Sequence, residues 1–327
     1  MVQTSIIIVT WNGKNVVAQC LDSLRQYAGD PATEVIVVDN ASTDGTLEMI
    51  REQYQYVKLI ANAANLGFAR ANNIGIEQCS GRYVCLVNSD VVVPEGCIEQ
   101  AIEYMKRDPA IGMLGPKMRL PDGTIGQSCM GLPTVWNSFC RAFALDTLPV
   151  GKKLFGGYLR TDFDYDRTED VDVLTGWFWI VTREALNQVG NLDERYFMYG
   201  EDIDWCKRFH QAGWRVVFYQ DVEAIHHTAA SSRLAPFRFY IEMHRANLQY
   251  FEKHHSRLGR AGFWLVSLLH EVIRIGGYGA TYLLQRSRRA EAGFKVRRSA
   301  ACISWLLGFT PGEMIKRTPQ VEINGTR

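Results

Sequence analysis

The sequence predicts an α/β domain, a mixed sheet flanked by helices, followed by a helical C-terminal extension. Three observations carry this prediction. Apolar, β-branched runs of strand length alternate with stretches of helical period through the first third of the chain. Several of these runs stop abruptly at polar residues, as Leu86-Val87 does at Asn88-Ser89-Asp90. In open α/β sheets ligands bind just past such carboxyl ends. Beyond residue 235 the strand pattern gives way to helical periodicity.

Taken in order, Ser5-Ile6-Ile7-Ile8-Val9-Thr10 reads as a buried strand, and Asn12-Gly13 as the turn after it. Val16, Val17, Cys20, Leu21 and Leu24 recur at helical spacing. Residues 34–38 form a second strand ending at Asp39-Asn40, and a helix through Leu47, Met49 and Ile50 follows. Residues 57–60 form a third strand and residues 70–79 a helix. Residues 83–87 are the strand that leads to Asp90, and a helix over 94–106 has Pro94 in its first turn. The alternation argues for parallel strands with helices on both faces.

At 327 residues the chain holds one large domain or two small ones. Its 36 Lys and Arg balance 35 Asp and Glu, which gives no hint of nucleic acid as a partner. The eight cysteines include no C-x-x-C pair, so they read as buried thiols in a reducing compartment. Met1 to Ser5 lacks the basic region of a signal peptide, and Ile6 to Val9 is a short apolar segment, so a cytoplasmic location is expected. No G-x-G-x-x-G follows the first strand and no G-x-x-x-x-G-K-[ST] occurs, which disfavours a nicotinamide dehydrogenase and a P-loop enzyme.

Polar side chains at strand ends are left to bind a ligand. Asp90 has two readings: a ligand for a metal or phosphate-bound metal, or a cap on the following helix. Asp39 can accept hydrogen bonds from a base or ribose, or it can be a turn aspartate. Asn65 reads as a turn residue, with Gly67 allowing close backbone approach.

Four pieces together are more specific than any one. Residues 5–12, then Val38-Asp39-Asn40-Ala41-Ser42-Thr43-Asp44-Gly45-Thr46, then Asn65-Leu66-Gly67-Phe68-Ala69 with Asn73, then Leu86 to Asp90, resemble the family 2 inverting glycosyltransferases. The resemblance implies a GT-A fold and a nucleotide-diphosphate sugar donor. It implies donor contacts at Thr10, Asn12, Asp39, Asn65, Gly67, Asn73, Ser89 and Asp90, with Asp90 at a divalent metal, Mg²⁺ or Mn²⁺. The chain departs from the family's D-x-D form, because Asn88 stands at the first acidic position. An amide oxygen is a weaker ligand for a hard cation than a carboxylate.

In the second half, residues 111–114 read as a strand closed by Gly115-Pro116, and residues 117–125 as a hairpin around Asp122-Gly123. Residues 129–170 show no period and read as a long connection, of the kind that is often mobile or substrate-facing. Residues 171–181 read as a strand broken at Gly176; Trp177 or Trp179 either stacks on a sugar ring or packs in the core. Five acids crowd positions 193–204, which is costly unless they have partners. Asp204 and Arg208 are spaced to pair on a helix, leaving Glu201 and Asp202 at the helix start, where a dipole-favoured cap is the alternative reading. This stretch, with Gly176 and Leu192 to Asp204, resembles rhamnosyltransferase-like members of the family. That resemblance implies Asp202 as general base, an acceptor site including Gly176, Trp177 and Glu201, and a metal-ligating histidine at His226 or His227, of which His226 is preferred. Residues 214–219 form the strand before these histidines.

Residues 236–255 and 262–284 read as helices, the second apolar but interrupted by His270, Glu271 and Arg274. Between Lys253 and Ala300 ten Lys or Arg stand against two Glu, so a basic amphipathic segment lying on an anionic membrane surface is expected, with a packing role as the alternative. The expected organisation is a glycosyltransferase domain over 1–235, with a nucleotide-sugar half over 1–115 and an acceptor half over 116–235. A helical, membrane-associating region over 236–327 follows. The expected function is transfer of a sugar, with L-rhamnose from dTDP-rhamnose favoured by the resemblance, to a lipid-linked or polysaccharide acceptor in cell-envelope glycan synthesis. The alternative is a catalytically silent nucleotide-sugar-binding protein.

Overall fold

The computed structural model describes residues 2–148, 155, 157–160, 162–227 and 236–309. The chain divides into two compact units, Met1–Leu234 and Ala235–Arg327. Residues 228–235, where the two expected parts meet, lie outside the described residues.

The first unit opens with four parallel strands, β1 (Thr4–Thr10), β2 (Thr33–Asp39), β3 (Val57–Ala61) and β4 (Tyr83–Asn88). They are linked by α1 (Lys14–Ser23), α2 (Thr46–Gln53) and α3 (Phe68–Glu77). Ile6, Ile7 and Ile8 are all fully buried, which is what a strand covered on both faces requires. After β4 come β5 (Val91–Val92), α4 (Cys97–Arg107) and β6 (Ile111–Arg119). The acceptor half then supplies β7 (Cys129–Met130), α5 (Val135–Ala142), β8 (Glu169–Asp170), β9 (Val173–Leu174) and β10 (Phe178–Thr182). It ends with α6 (Arg183–Val189), α7 (Glu201–Gln211) and β11 (Arg215–His226).

The main sheet runs β3-β2-β1-β4-β10-β6-β11-β5, with β8 added on β11. The order turns back between β1 and β4, which opens a crevice at the carboxyl ends of those strands. Strand β10 is antiparallel to both β4 and β6, so its start, not its end, lies at that edge.

Several boundaries differ from the sequence reading. Helix α4 begins at Cys97, not Pro94, because Gly96 enters it in a left-handed conformation at φ +75°. Strand β6 runs through Gly115-Pro116 to Arg119. Beyond Leu114 it has left β10 and pairs only with β11, and a proline is tolerated where a strand has lost one neighbour. The hairpin around Asp122-Gly123 reduces to a turn closed by one bridge, Arg119 to Ile125. Strand β11 continues past Tyr219 to His226 through a register shift between Tyr219 and Glu223. The supposedly irregular stretch 129–170 holds β7, α5 and β8, and α5 is closed by a capping box between Thr134 and Asn137.

The second unit consists of α8 (Pro236–His254), α9 (Arg257–Leu284) and α10 (Arg289–Leu306). Among the described residues no helix is long and apolar enough to cross a membrane.

Candidate active site

The ends of β1 and β2 place Thr10 beside Asp39 in register. Both are buried, and both keep an unused acceptor. Asp39 Oδ2 accepts the N–H of Ser42 at 2.9 Å. Among the described residues neither Asp39 Oδ1 nor Thr10 Oγ1 has a hydrogen-bond partner. A buried carboxylate oxygen without a donor is costly, and a ligand N–H or O–H would satisfy it. Asn12, held at φ +50°, spends its side-chain oxygen on the N–H of Thr43 at 2.7 Å and so shapes the loop after β2.

The next loop is pinned to the acceptor half. Asn65 Oδ1 accepts the N–H of Gly67 at 3.0 Å, and the N–H of Phe68 donates to the carbonyl of Phe197 at 2.7 Å. Gly67 sits at φ +88°, and a Cβ there would stand 2.3 Å from that same carbonyl oxygen. Asn73 is held by its surroundings. Its amide donates to Leu192 O at 2.9 Å and to Glu194 at 3.1 Å, and its oxygen accepts the N–H of Leu192 at 3.1 Å. Both amide hydrogens are thus spent on a clamp to residues 192–194.

At the end of β4, Asp90 and His226 come together. His226 Nε2 lies 3.1 Å from Asp90 Oδ1, both side chains are nearly buried, and His226 Nδ1 has no partner among the described residues. The backbone N–H of His227 donates to Asp90 O at 2.9 Å, which fixes β11 against the turn after β4. This backbone position separates the two histidines: it is the His226 ring that faces the carboxylate. The cap reading of Asp90 does not hold, because the next helix is entered through Gly96, six residues on. Ser89 is half-buried in the same turn.

From His226 the contacts lead to Asp202. The His226 ring stacks on Trp177 with centroids 5.5 Å apart and planes at 23°. The carbonyl of Trp177 accepts the N–H of Asn88 at 2.9 Å. Both Trp177 and Trp179 are buried, so neither offers an exposed face to a sugar ring, a correction to the stacking expectation. Trp179 instead donates to the carbonyl of Leu174 at 3.2 Å. Beside Trp177 is Gly176, where an added Cβ would lie 3.7 Å from Asp202 Cβ and 3.0 Å from the Trp179 ring. Gly176 thus leaves room for the Trp179 ring, with the head of α7 at ordinary contact distance.

The acid cluster sorts itself by partner. Asp193 pairs with Arg195 at 2.7 Å, Glu194 receives Asn73, and Asp204 pairs with Arg208 at 2.8 Å as its spacing predicts. Among the described residues Glu201 and Asp202 form no ion pair. Asp202 is half-buried, and its Oδ1 accepts the N–H of Ile203 at 2.8 Å. Burial raises its pKa above the ordinary carboxylate value, against the N–H groups of Ile203, Gly176 and Gly200, which favour the charged form. Glu201 is buried, its Oε2 lacks a partner among the described residues, and burial followed by the charge of Asp202 pushes its pKa well up.

Sequence reasoning missed Tyr158. Burial and then the charge of Asp202 push its phenol up to about 12, while Arg141 acts to lower it. These two residues lie on the aperiodic stretch, where no spacing marks them. A second cluster of ligand-type atoms, His244, Glu271 and Cys302, lies within 4.8 Å in the second unit. Glu271 already receives the Tyr240 hydroxyl, and the guanidinium groups of Arg274 and Arg298 lie over the Tyr240 ring, where their charge opposes a cation. It reads as a packing network.

Residues 5–141 match the family model described as glycosyl transferase family 2. The chain is 30% identical over 271 residues to the N-acetylglucosaminyl-diphospho-decaprenol L-rhamnosyltransferase of Mycobacterium tuberculosis, covering 78% of this chain and 86% of that protein. The chain belongs to glycosyltransferase family 2. This glycosyltransferase is also 26% identical over 235 residues to the O-antigen biosynthesis protein RfbC of Myxococcus xanthus, covering 71% of this chain and 18% of that protein. Its fold is similar to that of the mannosyltransferase PcManGT from Pyrobaculum calidifontis, solved with GDP-Man and Mn²⁺. The TM-score is 0.52 and the identity 18%, and the match covers 93% of this chain and 87% of that one. The glycosyltransferase thus has a GT-A fold with C-terminal helices added.

Proposed function

We propose that this enzyme transfers a sugar with inversion from a nucleotide diphosphate to a lipid-linked or polysaccharide acceptor in cell-envelope glycan synthesis. The favoured donor is dTDP-L-rhamnose, and the named rhamnosyltransferase relative supports that choice. The observation that carries the reading is the contact path Asp90–His226–Trp177–Gly176–Asp202, which sets a metal-type pair and an unpaired carboxylate at one sheet edge.

The acceptor hydroxyl attacks the anomeric carbon from the face opposite the diphosphate. The new C–O bond forms as the bond to the diphosphate oxygen breaks, and Asp202 takes the hydroxyl proton. The raised pKa of Asp202 makes it a stronger base than an exposed aspartate. Thr10 and Asp39 receive the nucleoside through their unused oxygens. A carboxylate facing an imidazole nitrogen is a donor set that suits Mg²⁺ or, better, Mn²⁺, and Asp90 and His226 would hold it, with Ser89 adjoining. When bound, that cation neutralises the charge of the departing diphosphate. The C-terminal helices, with their cationic excess, hold the enzyme peripherally on the inner face of the cell membrane, where lipid-linked acceptors reside.

A donor screen that follows nucleoside diphosphate release tests this reading. Release of dTDP from dTDP-rhamnose, dependent on a polyprenyl-diphospho-N-acetylglucosamine acceptor, is the expected result. Release only from another donor would replace the rhamnose assignment, and retained anomeric configuration in the product would overturn the inverting mechanism.

A further inference from the structure

Helix α9 has two apolar faces, and among the described residues only one of them is covered. The inner face buries Phe263, Val266 and Ser267. The ionisable residues that interrupt the apolar sequence turn inward as well. Glu271 is fully buried, receives the Tyr240 hydroxyl and lies 3.4 Å from His244 Nε2, both partners being on α8. Arg274 reaches His270 at 3.4 Å and lies over the rings of Tyr240 and Tyr278.

With those charges drawn in, the outer face is uninterrupted. No exposed position between residues 261 and 284 carries Asp, Glu, Lys or Arg. Leu258, Leu265, Leu269, Val272, Ile273 and Leu283 fall within an arc of about 100° at 3.6 residues per turn, which keeps them on one stripe. Their exposure runs from 42% at Leu269 to 85% at Leu258. The stripe is about 38 Å long at 1.5 Å per residue. A surface helix of a water-exposed protein carries charge on that face. Here charge sits only near the ends, with exposed Arg257 and Arg260 flanking Leu258 and exposed Arg286, Arg288 and Arg289 after Leu283; Arg260 and Arg288 also face the exposed Glu252 and Glu291 at 3.9 and 3.7 Å.

We infer that α9 lies flat in the headgroup region of an anionic bilayer, its leucine stripe facing the acyl chains and its two arginine clusters on lipid phosphates. The inference rests on the peripheral-membrane reading above and names the surface that performs it. Pairing of the stripe with a second copy of the chain is disfavoured by charge. Parallel or antiparallel, two such helices bring arginine clusters against arginine clusters at both ends.

The test uses the full chain and flotation with vesicles of equal phosphatidylcholine and phosphatidylglycerol. Two variants at exposed positions are compared with the wild type: Leu269→Glu with Ile273→Glu, and Arg286→Ser with Arg288→Ser and Arg289→Ser. The wild type is expected to float with the vesicles. The glutamate pair is expected to lower vesicle partitioning at least about tenfold, and the serine triple to weaken it less and to blunt its salt dependence. Both variants should keep wild-type turnover with a short-chain, water-soluble acceptor. Wild-type flotation by the glutamate pair overturns the assignment of this face while leaving membrane attachment intact. Failure of the wild type to float overturns the peripheral reading and this inference together. A concentration-dependent dimer of the wild type that the glutamate pair abolishes, without vesicle binding, assigns the stripe to a second copy.

Discussion

Asp202→Asn separates chemistry from helix capping. Asparagine keeps the shape and the oxygen that accepts the Ile203 N–H at 2.8 Å, but it has almost no affinity for a proton. General-base assistance contributes roughly 10²–10⁴-fold, so kcat should fall by about that factor with the donor KM little changed. A cap alone would predict near-normal turnover and a stability loss of about 1 kcal/mol. The pH dependence adds a second readout. Because burial raises the pKa of Asp202, the acidic limb of the wild-type kcat/KM profile should lie above the ordinary carboxylate range and vanish in the variant. The linked stability has the matching sign. A carboxyl whose folded pKa exceeds its unfolded value destabilises the fold as pH rises through the folded value. Asp202→Asn should therefore be at least as stable as the wild type near neutral pH. Stopped-assay kinetics of nucleoside diphosphate release and urea unfolding measure both quantities. Near-wild-type turnover by a folded Asp202→Asn protein, with Glu201→Gln the more damaged of the two, would refute the assignment.

Three further outcomes are expected. Asp90→Ala should weaken nucleoside diphosphate binding in Mn²⁺ or Mg²⁺ but have little effect after chelation, as measured by titration calorimetry; equal binding by both proteins in metal would remove the metal from the reading. Gly67→Ala should cost about 1–3 kcal/mol in urea unfolding, because its left-handed backbone and the Phe197 carbonyl both resist a Cβ; an unchanged midpoint would contradict that geometry. Asn73→Ala should cost about 1–3 kcal/mol through its lost buried hydrogen bonds while the folded protein keeps its nucleotide affinity; weaker binding at unchanged stability would restore Asn73 as a donor ligand.

What the sequence revealed, it revealed through local rules. The β-branched runs that became β1, β2 and β4 have the length and burial that periodicity predicts, and their polar ends mark the crevice. The Asp204–Arg208 pair followed from helical spacing alone. Non-local facts were hidden. Nothing near Pro116 says that β6 loses a neighbour one residue earlier, which is why the strand survives there. Nothing near Asn73 says that residues 192–194 will occupy its amide. Sequence alone left Trp177 and Trp179 open between sugar stacking and core packing. The face of Trp177 is taken by His226, 49 positions further along and brought in by the far end of β11. Tyr158 feels the charge of Asp202 from a stretch in which no spacing marks it.

The reversed direction of β10 makes the enzyme modular. The chain leaves the sheet at the end of β6, Arg119, and returns at the start of β10, next to Trp177, on that same rim. The described residues between these points, including α5, Arg141 and Tyr158, form a cassette hung from two neighbouring posts. Its strand β8 reaches back to pair with β11, while the Thr10–Asp39 register and the Asp90–His226 pair lie outside it. On the proposed reading, the segment that meets the acceptor is then separate from the strand ends that meet the nucleotide. Swapping residues 120–175 between relatives should, on that reading, change the acceptor and keep the donor.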